Sequence, residues 1–184
     1  LAAAAASGGE IEITGVEPVV LVEPLKALRK MGAGLRIFGA AGPKARIRMV
    51  MERRPAGITI DTGPYPGFPT DLQSVFLAAE ASGTGESQIR ETVYEARFEA
   101  AVRLASFGAD VSVHGDTAII KGRYPLLPGV VETPDLRGGA ALLVAALSAD
   151  GLSVVSDRGH LKRGYEDIGR DLRILGADIE ENIL

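Results

Sequence analysis

Two helix-end signatures each occur three times along this chain of 184 residues. An apolar helix tail running into serine and glycine appears as Leu1 to Gly9, Leu77 to Gly83 and Leu143 to Gly151. A second helix end, closing in Gly-Ala with a strand to follow, appears as Met31-Gly32-Ala33, Phe107-Gly108-Ala109 and Leu175-Gly176-Ala177. The step from serine to glycine is 25 residues (7 to 32), 26 (82 to 108) and 28 (148 to 176). Two marks held at near-constant offset define a repeated supersecondary unit, and copies of such a unit stack to bury a shared core.

Each unit reads as helix, strand, loop, helix, strand, and the glycine supplies the left-handed residue that ends the second helix. In unit two, Phe98, Val102, Leu104 and Ala105 fall on roughly one side of that helix. Val111 and Val113 alternate into a turn at His114-Gly115-Asp116, and Ala118 and Ile120 alternate out of it, which predicts a hairpin. Leu35 and Ile37 lead to Ile47, Met49 and Met51 in the same way. Units two and three carry a leading strand, Ile58-Thr59-Ile60 and Val130-Val131-Glu132, that unit one lacks. The expected architecture is α/β with α+β character: one domain of three βαβαββ units about a pseudo-threefold axis, the first truncated. The units run over about 1–52, 53–122 and 123–184. Helices ending at Ser7, Ser82 and Ser148 should pack together inside, their alanine and leucine suiting close contact, with the charged second helices outside. The opening Leu1 to Ala6 reads as the tail of a helix that begins elsewhere, and is too short for a signal peptide.

Composition removes several function classes. With no cysteine, the chain carries no disulfide scaffold, thiolate metal site or cysteine nucleophile. Twenty Lys and Arg against 24 Asp and Glu give a net charge of −4, which argues against a general nucleic-acid groove. A few converging arginines still suffice for an anionic small molecule. No apolar run approaches the roughly 20 residues that span a bilayer. No metal-ligand spacing, Walker motif or dinucleotide glycine pattern is present, so no cofactor is expected. His114 sits in a turn, and His160 has no nucleophile motif beside it.

Core positions recur in every unit, whereas site residues need not. Pro69-Thr70-Asp71-Leu72-Gln73 opens the first helix of unit two, with Thr70 and Gln73 at capping-box spacing. Thr133-Pro134-Asp135-Leu136 opens its counterpart, with proline suited to the first helical position. Asp71 and Asp135 read either as helix-start residues or, for Asp71, as a carboxylate placed to take a proton from a substrate hydroxyl. Arg97 and Arg163 fall at the starts of the second helices, where a cation opposes the helix dipole. Placement against local preference in two units of three points to an anion held outside those helices; the plainer reading is an exposed arginine paired to Glu91, Glu95 or Glu166. Arg137 either joins that cluster or forms a local salt bridge.

Four stretches then carry a resemblance: Pro64 to Gln73, Glu91 to Phe98, Asp135-Leu136-Arg137 and Arg163 to Glu166. They resemble the signatures of the UDP-N-acetylglucosamine 1-carboxyvinyltransferases, enolpyruvyl transferases of peptidoglycan synthesis. The resemblance covers essentially the whole chain. It implies half of an inside-out α/β barrel, the larger C-terminal domain of a two-domain cytoplasmic enzyme. The reaction implied moves the enolpyruvyl group of phosphoenolpyruvate to the 3-hydroxyl of UDP-N-acetylglucosamine and releases phosphate.

By the same resemblance Asp71 deprotonates that hydroxyl, and Thr70, Val93 and Tyr94 lie along the UDP-sugar. Arg97, Arg137 and Arg163 meet phosphoenolpyruvate and its phosphate, with Asp135 as a supporting carboxylate. A proton-donating loop, usually with cysteine, and a Lys-Asn pair belong to a domain absent from this sequence, so half an active site is expected here. Ala96 stands where the family usually has Asn, Pro134 where it has Thr and Lys162 where it has Asp. The alternatives are a shikimate-pathway enolpyruvyl transferase domain, or a non-catalytic UDP-sugar-binding or structural domain of the same fold; RNA 3'-phosphate cyclases are a more distant analogue.

Overall fold

A computed structural model describes residues 1–39, 42, 45–95 and 97–181. Unit one runs α1 (Ala2–Ser7), β1 (Gly9–Thr14), α2 (Val22–Lys30), β2 (Gly34–Phe38) and β3 (Arg46–Met51). Unit two runs β4 (Thr59–Asp61), α3 (Thr70–Ala81), β5 (Glu86–Arg90), α4 (Glu99–Leu104), β6 (Asp110–His114) and β7 (Thr117–Lys121). Unit three runs β8 (Val130–Glu132), α5 (Leu136–Ala146), β9 (Val154–Ser156) and α6 (Ile168–Ile174). The strands order as β1-β3-β2, β4-β5-β7-β6 and β8-β9. β1, β5 and β9 are therefore equivalent, and the leading strands β4 and β8 lie parallel to β5 and β9.

The Gly-Ala signature is a helix terminator in all three copies. Gly32, Gly108 and Gly176 have φ of 105°, 70° and 98°, a region closed to most L side chains. Each glycine N–H bonds the carbonyl three residues back, and the next alanine N–H reaches five back: Ala33 to Leu28, Ala109 to Leu104 and Ala177 to Leu172. That pair of bonds is a Schellman cap, which satisfies carbonyls the helix leaves open.

α1, α3 and α5 pack against one another, and the sheets lie outside them. α5 presents Gly138, Gly139, Ala140, Ala141, Leu142, Val144 and Ala145 to the interior, and α3 buries Phe76, Leu77, Ala78 and Ala79. Small residues allow the two axes to approach closely. Phe68 closes one end of this core edge-on to Phe76, with ring centroids 5.0 Å apart.

Three local expectations need correction. Val102 is 70% exposed, because α4 turns Ala100, Ala101 and Leu104 inward instead. Among the described residues no strand follows the Gly176 terminator: residues 177–181 have no regular structure. In units one and two that strand pairs only with the last strand of its own unit, β2 with β3 and β6 with β7, and among the described residues unit three has no such partner. The Thr70–Gln73 capping box does not form either, since Pro69 is the N-cap and Gln73 is fully buried.

α3 also buries Glu80, 1% exposed, whose Oε2 accepts from the Ser87 hydroxyl while Oε1 has no partner among the described residues. Burial pushes this carboxyl up to about 7 from an ordinary 4.5, against the opposing Ser87 bond. The folded protein thus holds a proton the unfolded chain has released, so stability falls as pH rises from 4.5 to 7 and is flat beyond. Glu80→Gln should remove most of that slope, so that the variant loses less stability than the wild type between pH 5 and pH 8. Denaturant melts at pH 5 and pH 8 check it; equal slopes in both proteins would show that Glu80 is not the group responsible.

Candidate active site

The N-terminal ends of α3 and α5 and the loop from β5 to α4 meet at one edge of the molecule. Asp71 occupies the first turn of α3, where aligned peptide dipoles favour a carboxylate. Arg97 Nη1 reaches its Oδ1 at 2.9 Å, and Arg137, from the start of α5, forks onto both oxygens through Nε and, at 2.8 Å, Nη2. Two units of the repeat thus share one ion cluster. The Arg137 hydrogen bond, ahead of the Arg97 contacts, holds the Asp71 carboxyl below the usual carboxylate range, while Asp71 in turn raises Arg137.

Arg97 is the more enclosed of the two arginines. Its side chain is 13% exposed, lies over the Tyr94 ring at 4.3 Å from the centroid, and also donates to Thr70 Oγ1 at 2.8 Å. Asp71 keeps 56% of its side chain exposed, and the two arginines that hold it line a cleft of about 310 Å³ together with Tyr94, Glu99, Pro134 and Asp135, among others. Two guanidinium groups converging here offer the N–H donors that a phosphate or carboxylate ligand uses, with the Glu99 and Asp135 carboxylates on the same lining. An ionised carboxylate at the rim has the lone pairs to take a proton, and the arginine bonds that keep it ionised also lower its basicity.

Asp135 caps α5: one of its oxygens accepts the N–H groups of Arg137 and Gly138, both at 2.8 Å. The helix-start reading of Asp135 therefore describes its geometry, and Pro134 lies one residue before the cap rather than inside the helix. The space that Pro134 fills faces Gly138, where an added Cβ would come 2.5 Å from its ring. Arg97 and Arg163 both precede their helices instead of opening them. Arg97 lies two residues before α4; Arg163 closes a 3₁₀ turn, Leu161–Arg163, with α6 starting only at Ile168.

Thr70, Asp71, Tyr94, Arg97, Asp135 and Arg137 are thus brought together. Val93 is exposed beside them without a side-chain bond. Arg163 is exposed, and among the described residues no carboxylate lies within ion-pairing distance of it. Its neighbour Gly164 packs against Leu136, which brings this backbone to the start of α5. Lys162 is exposed on the same turn, and the Ala96 position lies outside the described residues.

Three residues of this region escaped sequence reasoning. Tyr165 has its phenol raised by burial and lies within electrostatic reach of Arg137 and Asp71. Glu91 accepts four hydrogen bonds instead of pairing with an arginine. Asp157 accepts from Thr133 and from the N–H groups of Gly159, His160 and Leu161. His160 itself is tied through Nδ1 to Thr133. Among the described residues no group of three or more His, Asp or Glu is arranged to hold a metal ion. No helix there is long and apolar enough to cross a membrane.

Comparison with known proteins gives a consistent picture. The sequence model of EPSP synthase (3-phosphoshikimate 1-carboxyvinyltransferase) matches residues 1–172. The chain is 43% identical to UDP-N-acetylglucosamine 1-carboxyvinyltransferase of Coprothermobacter proteolyticus, over 97% of its own length and 41% of that protein's. It is 39% identical to UDP-N-acetylglucosamine 1-carboxyvinyltransferase 3 of Symbiobacterium thermophilum, with the same coverage of each. The chain thus spans about two fifths of the length of these relatives. Among solved structures it superposes on the enolpyruvyl transferase NikO from Streptomyces tendae with a TM-score of 0.81 at 28% identity, covering 97% of this chain and 42% of that one. EPSP synthase from Acinetobacter baumannii, at 20% identity and a TM-score of 0.76 over 99% of this chain and 45% of that one, shares the fold.

Proposed function

Because the chain belongs to the EPSP synthase family of enolpyruvyl transferases, we propose that it is one domain of a two-domain enzyme that transfers the enolpyruvyl group of phosphoenolpyruvate to the 3-hydroxyl of UDP-N-acetylglucosamine. The observation that carries this reading is the ionised Asp71 held by Arg97 and Arg137, two arginines that line an open cleft. The relatives named for that UDP-sugar reaction support the choice of acceptor. The units are bounded at about 1–52, 53–122 and 123–184, and the protein works in the cytoplasm where its nucleotide-sugar substrate is made.

Asp71 takes the proton of the sugar hydroxyl as its oxygen bonds to the central carbon of phosphoenolpyruvate. The bond from that carbon to the phosphate oxygen then breaks while the neighbouring carbon, protonated to a methyl group in the addition, gives up one proton to a base. The double bond re-forms and inorganic phosphate leaves. Thr70, Val93 and Tyr94 flank the sugar, while Arg97, Arg137 and Arg163 offset the charge of phosphoenolpyruvate and of the departing phosphate. The proton that the vinyl carbon needs comes from a donor outside these 184 residues, so this chain alone should not turn over. Asp135 shapes the site by capping α5.

Acceptor choice is tested by assaying the complete protein for phosphate release with each of two hydroxyl donors. Phosphate should appear from phosphoenolpyruvate with UDP-N-acetylglucosamine and not with 3-phosphoshikimate. Release with 3-phosphoshikimate alone would replace the acceptor. Release by the 184-residue chain by itself would contradict the two-domain assignment.

A further inference from the structure

Glu91 lies behind Thr70, the residue that receives the Arg97 guanidinium. It is 5% exposed at the end of β5, at the root of the loop that carries Val93, Tyr94 and Arg97. Its Oε1 accepts the Thr62 hydroxyl at 2.8 Å and the N–H groups of Val93 and Tyr94 at 2.9 and 3.0 Å. Its Oε2 accepts the Thr70 hydroxyl at 2.7 Å. A hydroxyl has one proton to give, so Thr70 is committed as donor to Glu91 and turns its lone pairs toward Arg97 Nη1, 2.8 Å away. The same Nη1 also reaches Asp71 Oδ1. An unbroken line of bonds therefore runs Glu91–Thr70–Arg97–Asp71–Arg137.

We propose that Glu91 is a positioning residue: it fixes the direction of the Thr70 hydroxyl and so the place of Arg97 beside Asp71, without itself touching a substrate. This rests on the reading of Arg97 and Asp71 as members of the active site. Burial alone would raise a carboxyl here, but the bonds from Thr70, Thr62, Tyr94 and Val93 together outweigh it and hold Glu91 ionised. An ionised carboxylate is acceptor-only on both oxygens, which is what four converging donors require.

The repeat supports the assignment independently. Asp157 follows β9 as Glu91 follows β5, and Thr133 follows β8 as Thr62 follows β4. Thr62 N–H bonds the Arg90 carbonyl and Thr133 N–H bonds the Ser156 carbonyl, both at 2.9 Å, so the register is shared. Thr133 Oγ1 donates to Asp157 at 2.7 Å, and Asp157 gathers the N–H groups at the start of the loop bearing Arg163. In unit one the residue after β1 is Gly15, and the following loop carries no arginine. The carboxylate hub occurs in the two units whose loops bear a candidate substrate arginine, and is missing from the third.

The test reads the guanidinium signals directly in the complete protein. At low temperature, wild-type Arg97 should give resolved Nη protons, assigned by their loss in Arg97→Lys. In Glu91→Gln that set should collapse into averaged signals while the Arg137 Nε proton and the core amides of Ile89 and Leu142 persist. Thr70→Val is the second variant; it leaves the other three bonds to Glu91 in place and should release Arg97 in the same way. A folded Glu91→Gln or Thr70→Val protein that keeps Arg97 resolved would overturn the proposal. Should Glu91→Gln unfold, Thr70→Val decides by itself. Failure of the enzymatic reading has a separate sign: Arg97→Gln in the complete protein would turn over at the wild-type rate, whatever the spectra show.

Discussion

Asp71→Asn is expected to lower kcat in the complete enzyme by a factor on the order of 10²–10⁴, the usual cost of losing a positioned proton acceptor. Asparagine is well tolerated near a helix start, and the lost ion pairs are more than half exposed on the aspartate side, so the thermal transition should barely move. Binding of the UDP-sugar should stay near normal, because the amide still offers a hydrogen bond to the hydroxyl. Steady-state kinetics, a melt and a binding isotherm on one preparation separate these effects. Wild-type turnover, or loss through unfolding alone, would return Asp71 to a helix-start residue.

The largest expected loss of stability is at the joint between units two and three. Phe107 is fully buried at the end of α4's terminal turn; its ring lies where a Cβ on Gly129 would meet it at 2.9 Å, and its carbonyl accepts Leu127 N–H at 2.8 Å. Phe107→Ala should cost about 3–5 kcal/mol, part lost transfer energy and part cavity. For a chain of this size that is a fall in Tm on the order of 10 °C. Val102→Ala, five residues earlier on the exposed side of the same segment, should stay within about 0.5 kcal/mol. Comparable losses at both positions would mean that α4 is rotated relative to the arrangement described here.

The contrast between Phe107 and Val102 shows what was legible in the sequence. Signals that act within a few residues came through: the Gly-Ala terminators, the Gly115 turn and the alternation of Ala118 and Ile120 each impose one backbone outcome locally. Their spacing then revealed the repeat, and the repeat gave the three inner helices. Helix rotation over a short segment was less legible, because the six residues of α4 offer too few turns to separate Val102 from Leu104 by periodicity. The strand expected after Ala177 depended on a partner strand instead of on its own residues.

In the site, the charged residues Asp71, Arg97 and Arg137 were visible as types and as motif members. The hub beneath them was not, because Glu91 meets Thr62 from 29 residues away and Thr70 from 21. Nothing local distinguishes such a glutamate from a solvated one. Only the pseudo-threefold relation, read once the strands are paired, makes Glu91 and Asp157 the same device. Thr70 shows the converse error: at capping-box spacing its hydroxyl has a local role available, and the distant Glu91 wins it.

The measurement that bears most directly on the central claim is a crystal structure of the complete protein with UDP-N-acetylglucosamine bound. The sugar 3-hydroxyl should lie within about 2.6–3.2 Å of an Asp71 carboxylate oxygen, the reach a general base requires. A sugar bound elsewhere, with its 3-hydroxyl out of reach and Asp71 still gripped by Arg97 and Arg137, would contradict the account.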